Sequence, residues 1–289
     1  MINEKTKIAI QERLAEYCQS KGSQNKAANT MQGVSSTVIS RILSGEWHLI
    51  ADNMWRTVAG YVGYDVNEWQ VVATRAYKRM NEVLTDAKDN SMVFAVTGDA
   101  GCGKSETIKN FEKSNQNVYV LSCNEYWNRK MFVASLMRAC GMDSSAGTVG
   151  EMVNDVINEI KRRENPIIIL DEADKLSDQV LYFFITIYNH LEDQCGIVLT
   201  ATDFLEKRIK KGVNANRKGY REIFSRIGRK FVKLQVINQA DVKAICIAND
   251  ITDKAEIQDI YEKCELDLRR VKRQIFACKK DKRNESNNE

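Results

Sequence analysis

Two apolar runs, each closed by a short polar signature, constrain this chain more than any other feature. The first, Met92-Val93-Phe94-Ala95-Val96, leads into Gly98-Asp99-Ala100-Gly101-Cys102-Gly103-Lys104-Ser105, and Glu106 to Phe111 then read as a helix. A strand, a glycine-rich loop and a helix in that order make a phosphate cradle. Backbone N–H groups at the helix start point at the anion, and glycines let the backbone approach closely. Lys104 reaches the β- and γ-phosphates of a nucleoside triphosphate, and the Ser105 hydroxyl ligates Mg²⁺. Gly98 to Glu106 are thus the expected nucleotide contacts. The second run, Pro166-Ile167-Ile168-Ile169-Leu170, ends in Asp171-Glu172. It fits a central parallel strand buried on both faces, and open α/β sheets bind ligands beyond the carboxyl ends of such strands. There Asp171 would hold Mg²⁺ through water, and Glu172 would polarise the attacking water as a general base. ATP and Mg²⁺ are the expected cofactors.

Length and composition narrow the surroundings of that site. A chain of 289 residues has room for about two domains. Hydrophobic residues make up 43% and charged residues 28%, which suits a water-soluble globular protein. No apolar run approaches the ~20 residues of a membrane helix, and the N-terminus lacks the apolar core of a secretion signal. A cytoplasmic protein without a membrane partner is the expectation. Eight cysteines are scattered without a CxxC pair and only two histidines exist, so zinc is not expected and the cysteines read as small apolar residues. The single proline, Pro166, leaves the chain free to be rich in helix.

Net charge is only +4, but its distribution is uneven. Between Lys207 and Lys233 stand eleven Lys or Arg, with Glu222 the only acid. A second basic cluster runs from Arg269 to Arg283. Such clusters are the electrostatic footprint of a phosphate backbone. Lys207, Arg208, Lys210, Lys211, Arg217 and Lys218 are the leading candidates to face DNA. Asn128, Arg129 and Lys130, which open a predicted helix, are a further set.

Along the chain, residues 1–65 read as a separate helical domain. Lys5 to Ser20 is amphipathic, with Ile8, Leu14 and Ala15 on its apolar side. A short capped helix starts at Ser23, and a turn at Gly33-Val34 leads to an N-cap serine, Ser35. The next helix reaches Leu43 and ends at Ser44-Gly45, with Val38, Ile42 and Ile39 as inward candidates. Ser36, Thr37, Ser40 and Arg41 are left facing out. This segment resembles the helix-turn-helix of phage repressors, with the second helix presented to the major groove. One departure is the spacing from Ala28 to Gly33, five steps where the family commonly has four.

A connecting helix is expected over 66–90, with Trp69, Val72, Ala76, Met80 and Leu84 at helical spacing. A nucleotide-binding domain follows over 91–237. Further strands are expected at Val118–Leu121, Gly196–Thr202 and Phe231–Leu234, and helices at Asn128–Cys140, Thr148–Arg163 and Leu181–Glu192. Strands alternating with helices specify a parallel sheet with right-handed crossovers. Three helices over 238–280 form a lid, and the polar tail 281–289 is expected to be disordered.

The order of these parts resembles the AAA+ ATPases over about residues 67–280. The fold implied is an α/β parallel-sheet P-loop core with a C-terminal helical lid, preceded here by the all-α domain. The resemblance assigns roles position by position. Thr202, ending the fourth strand, matches the residue that senses the γ-phosphate, with Thr200 as the alternative. Arg226, before the fifth strand, matches the arginine finger that completes a neighbouring subunit's site, with Arg229 second. Arg269 matches the lid arginine that touches nucleotide within its own subunit. A finger given in trans implies a homo-oligomer, a ring or a helical filament, and is worth ~10³–10⁵ in rate in well-studied cases.

A helix-turn-helix joined to a minimal AAA+ module is similar to the Mu B family of target-DNA-selecting transposition ATPases. That resemblance implies ATP-dependent assembly on duplex DNA with little sequence preference, and delivery of target DNA to a transposase. Two alternatives stay open. A nucleotide-sensing transcription regulator would be a dimer on palindromic half-sites. A helicase loader would favour single strands and stacking aromatics, of which the basic run holds Tyr220, Phe224 and Phe231.

Overall fold

A computed structural model describes residues 2, 4–65, 69–144 and 147–287, and their side chains apart from those of residues 5 and 282–287. The chain divides into two compact units, Met1–Val71 and Val72–Glu289.

The first unit holds helices α1 (Glu4–Lys21), α2 (Gln24–Asn29), α3 (Ser36–Ser44) and α4 (Asp52–Tyr61). Local chemistry sets their ends. The Ser23 hydroxyl accepts the Lys26 N–H and starts α2, and the Ser35 hydroxyl accepts the Val38 N–H and starts α3. Each such cap is worth about 1 kcal/mol. Gly45 closes α3 in the left-handed conformation at φ +85°. The apolar side of α1 differs from expectation: Ile10, Leu14 and Cys18 are buried while Ile8 is exposed. The buried stripe follows the i, i+4, i+8 spacing, which places Ile8 on the solvent side. On α3, Ile39 and Ile42 are buried and Val38 only half-buried. They join Trp55, Val58 and Met31 in one core. Thr37 and Ser40 are exposed, and Ser36 and Arg41 half-exposed.

The second unit opens with α5 (Arg75–Asp89). The connecting helix expected over 66–90 is corrected here. Residues 69–74 are irregular, 66–68 lie outside the described residues, and the Thr74 hydroxyl caps the helix by accepting the Tyr77 N–H. Nor is α5 a connector. Ala76, Met80, Val83, Leu84 and Ala87 bury its inner face against the sheet. Gly196 allows the contact, because a Cβ there would lie 2.2 Å from the Ala87 carbonyl oxygen.

The remaining order is β1 (Val93–Thr97), α6 (Lys104–Ser114), β2 (Val118–Ser122), α7 (Arg129–Ala139), α8 (Val149–Lys161), β3 (Ile167–Asp171), α9 (Asp178–Leu191), β4 (Gly196–Ala201), α10 (Asp203–Asn214), α11 (Tyr220–Arg226) and β5 (Val232–Lys233). The strands form one sheet in the order β2-β3-β4-β1-β5, every pairing parallel. β3 and β4 are buried throughout, as strands covered on both faces must be. The period of two divides them between two cores. Ile167 and Ile169 pack with α5 and α6, whereas Ile168 and Leu170 pack with α7 to α11. Each fully buried Ile or Leu contributes about 1.5–3 kcal/mol.

Three helices follow, α12 (Gln239–Ala248), α13 (Lys254–Lys263) and α14 (Leu268–Asn287). Of the tail expected to be disordered over 281–289, Asp281 to Asn287 instead continue α14, and 288–289 lie outside the described residues. No glycine or proline interrupts that stretch. Six of the eight cysteines are buried, and burial pushes the Cys195 thiol up to about 12, consistent with an apolar packing role.

Candidate active site

The phosphate loop and the acid pair come together at the carboxyl edge of the sheet. β1 ends at buried Thr97, and the chain turns through Gly98 to Gly103 into α6. Gly101 and Gly103 have φ of +78° and +101°, a region that L side chains rarely adopt. The first N–H groups of α6 have no acceptor within the helix, and no side chain caps them. The Lys104 ammonium donates to the carbonyls of Gly98 at 2.6 Å and Asp99 at 3.0 Å, which holds its charge inside the loop. Cys102 is buried beneath the loop, while Asp99, Ala100 and Glu106 lie on its exposed rim.

Asp171 is the hub. It is only 5% exposed and ends β3. Ser105 Oγ donates to its Oδ2 at 2.7 Å, and Thr200 Oγ1 donates to its Oδ1 at 2.6 Å. The Glu172 N–H adds a third bond at 3.1 Å. A serine hydroxyl beside a carboxylate is a hard oxygen pair of the kind Mg²⁺ takes, with its other ligands drawn from phosphate and water. Among the described residues there is no cluster of three or more His, Cys, Asp or Glu that could hold a metal ion.

Glu172 follows with left-handed backbone at φ +57°, and its Oε2 meets the Lys175 ammonium at 2.6 Å. Both partners are 45% exposed, so the pair contributes at most about 1 kcal/mol to stability. Thr202 is the N-cap of α10 and donates its hydroxyl to Asp174 Oδ2 at 2.6 Å. Of the two sensor candidates, Thr200 is the one bonded to Asp171.

The arginines divide. Asp267 lies across the loop: a Cβ on Gly101 would fall 2.1 Å from its Oδ1, and the Leu268 N–H donates to the Gly101 carbonyl at 3.0 Å. This contact sets exposed Arg269 two residues from the phosphate loop. Arg226 points elsewhere. Its guanidinium stacks 4.9 Å from the Tyr188 ring centroid and bonds Asn189 at 3.1 Å, both on α9, and Glu192, the residue that ends that helix, at 3.3 Å. Arg229 is exposed, with φ +57°.

The basic candidates are not equivalent. Arg208 does not belong among surface DNA contacts, because its guanidinium is turned inward onto Asp178, Tyr220 and the carbonyls of Asp174 and Leu176. Of the five N–H donors of this planar fork, four are spent on these internal partners, which holds the group against the protein and away from a DNA backbone. Lys210 rests on Glu206 at 2.6 Å, Arg217 lies 3.8 Å from Asp178, and Lys218 covers the Tyr182 ring. Lys207 and Lys211 are exposed and, among the described residues, have no carboxylate partner. Asn128 caps α7 by accepting the Met131 N–H, Arg129 lies over Phe183, and Lys130 is exposed. Sequence reasoning missed Lys175, Asp174, Asp178 and Asp267. The first two had a signal, charged residues one turn beyond the Asp171-Glu172 pair. The other two act on partners far away in the chain.

A parallel sheet in this order, with a glycine loop after β1 and an acid pair at the end of β3, has the layout of a P-loop nucleotide-binding domain. Residues 87–209 match the family described as AAA domain. The chain resembles the Mu B proteins in particular. It is 24% identical over 178 residues to the Mu-like prophage FluMu DNA transposition protein B of Haemophilus influenzae, covering 61% of this chain and 60% of that one. It is 23% identical over 188 residues to the ATP-dependent target DNA activator B of Escherichia phage Mu, covering 65% and 58%. The chain thus spans less than two thirds of the length of these relatives. Among solved structures, Orc1 of Aeropyrum pernix in complex with DNA matches with a TM-score of 0.49 at 17% identity, over 68% of this chain and 56% of that one. No described helix is long and apolar enough to cross a membrane.

Proposed function

We propose that this chain is a Mg²⁺-dependent ATPase that assembles on duplex DNA and selects or activates target DNA for a transposase. The observation that carries the ATPase reading is the Ser105–Asp171–Thr200 network beside Lys104 and Glu172. Lys104 and the α6 N–H groups bind the triphosphate, and Glu172 takes the proton of the attacking water. Ser105 and, through water, Asp171 would hold Mg²⁺, which would supply positive charge against the β- and γ-phosphates. Thr202, or Thr200, reads the γ-phosphate, and Arg269 touches nucleotide from within the subunit. Arg226, whose partners lie on the last turns and C-cap of α9 and not in its own phosphate site, serves a neighbouring subunit. That role requires a ring or filament of copies.

The DNA reading draws support from the names of the relatives and from exposed lysines Lys207 and Lys211. Lys210, Arg217, Lys218, Asn128, Arg129 and Lys130 form its wider surface. Ser36, Thr37, Ser40 and Arg41 form a second, weaker surface on a helix-turn-helix. Electron microscopy with duplex DNA, with and without ATP, tests the whole reading: ATP-dependent assemblies on DNA of any sequence are expected. A footprint confined to one palindromic site, lost on deleting residues 1–65, overturns it in favour of a transcription regulator. Preference for single strands and a helicase partner overturns it in favour of a loader.

A further inference from the structure

Arg208 is the most enclosed cation on α10, its side chain 15% exposed against 56% for Lys210. It spends its donors on one place. Nη1 donates to the Leu176 carbonyl at 2.6 Å and to the Asp174 carbonyl at 3.3 Å. Nε donates to Asp178 Oδ1 at 3.1 Å and lies 3.2 Å from the Tyr220 hydroxyl, which itself donates to Asp178 Oδ1 at 2.6 Å. The two carbonyls flank Lys175 in the single turn Ala173–Lys175 that follows Glu172. That turn carries much of the hydrolytic edge of the site. Asp174 holds the Thr202 hydroxyl, Lys175 holds the Glu172 carboxylate, and Glu172 itself adopts the left-handed backbone. Its own backbone bonds are few: Lys175 N–H to the Glu172 carbonyl at 3.0 Å and Leu176 N–H to the Ala173 carbonyl at 3.2 Å. A turn this short is not rigid by itself, and a strained backbone persists only where its surroundings over-determine it.

We propose that Arg208 is a positioning residue for ATP hydrolysis, fastening the turn that sets Glu172 and Thr202 to helix α10. The inference rests on the ATPase reading above. It also gives a physical route from DNA to hydrolysis. Lys207 is the adjacent residue and Lys211 lies one turn on, so a phosphate backbone pulling on α10 acts on the turn through a guanidinium fork. Arginine suits the task because one planar group reaches two carbonyls and a carboxylate from three separate nitrogens held in a fixed fork, where an ammonium offers a single nitrogen on a flexible stem.

The test compares the full chain with its R208M and R208K variants. In R208M, kcat without DNA should fall about 10- to 100-fold, the range a displacement near 1 Å produces. Affinity for a fluorescent ATP analogue should stay within about threefold, as befits loss of an interaction made in the transition state. R208K should recover only part of the rate. Amide exchange at Lys175 and Leu176 should quicken about tenfold or more in R208M, a readout that needs no turnover. Folded R208M with wild-type kcat and exchange overturns the proposal. So does loss of analogue binding in step with kcat, which marks a general folding role. A drop in DNA affinity with DNA-free kcat intact makes Arg208 a phosphate contact and equally overturns it. Should R208M fail to fold, D178N removes the charge partner alone, and a smaller loss of kcat is expected; none at all overturns the proposal. A wild-type chain that binds the analogue but never turns ATP over refutes the ATPase reading instead, and exchange at the two amides then decides the brace.

Discussion

Replacing Thr200 by valine isolates the hub of the site. The Thr200 side chain is fully buried, and its hydroxyl donates to a carboxylate that is itself only 5% exposed. Valine has nearly the same shape, so no cavity opens; the change removes one hydrogen bond to a charged group, worth about 1.5–3 kcal/mol. The Glu172 N–H stays on the same carboxylate oxygen at 3.1 Å, which places the loss toward the low end, about 1.5–2 kcal/mol. For a unit of this size that lowers the melting temperature by roughly 3–8 °C. If the same orientation energy is missing in the transition state, kcat falls about 10- to 30-fold, at 1.36 kcal/mol per tenfold. Thermal unfolding and steady-state ATP hydrolysis read both effects. Thr200→Ser keeps the hydroxyl and loses a methyl, so it should hydrolyse ATP much nearer the wild-type rate than Thr200→Val. Valine matching the wild type while serine is the poorer variant would show that packing, not the bond to Asp171, holds this position, and the reasoning would fall.

Three further outcomes follow from the same geometry. Arg226→Ala should bind ATP and lose hydrolysis, and mixing it with Lys104→Ala, which cannot bind ATP, should restore some activity at mixed interfaces; no ATP-dependent assembly in sedimentation would count against a finger in trans. Neutralising Lys207 and Lys211 together should weaken duplex binding evenly across sequences and flatten the plot of log affinity against log salt by about 0.9 per lost phosphate contact; Arg208 is left out because its guanidinium is turned inward. Hydrogen bonds from Lys210, then Lys233, hold the Glu206 carboxyl below its usual range against the opposing effect of burial. Its folded pKa is depressed, so the stabilisation is present above the ordinary glutamate value of about 4.3 and disappears as pH falls through the folded value. Glu206→Gln should therefore melt lower than wild type at neutral pH, with the gap closing in acid; a gap that persists unchanged in acid would contradict the ion-pair account.

The amino-acid sequence by itself determined the parts whose physics is local. The glycine loop, the N-cap serines at Ser23 and Ser35, the left-handed Gly45 and the continuous apolar run of β3 all act over a few neighbouring residues. They could be read directly, as could alternation of strand and helix. Reading failed where local patterns tie: the helix expected from 66 starts at Arg75, because a threonine cap outweighed apolar spacing, and α1 buries Ile10 in place of Ile8. The tertiary structure alone decided which side chains share a site. Thr200 meets Asp171 across 29 residues, Arg208 meets Leu176 across 32, and Arg75 meets Asp241 across 166. Composition showed a basic run, yet only folding separated the arginine that braces the turn beside Glu172 from the lysines that remain in solvent. A side chain's chemistry travels with its sequence position, whereas its task depends on what the sheet order brings within about 3 Å of it.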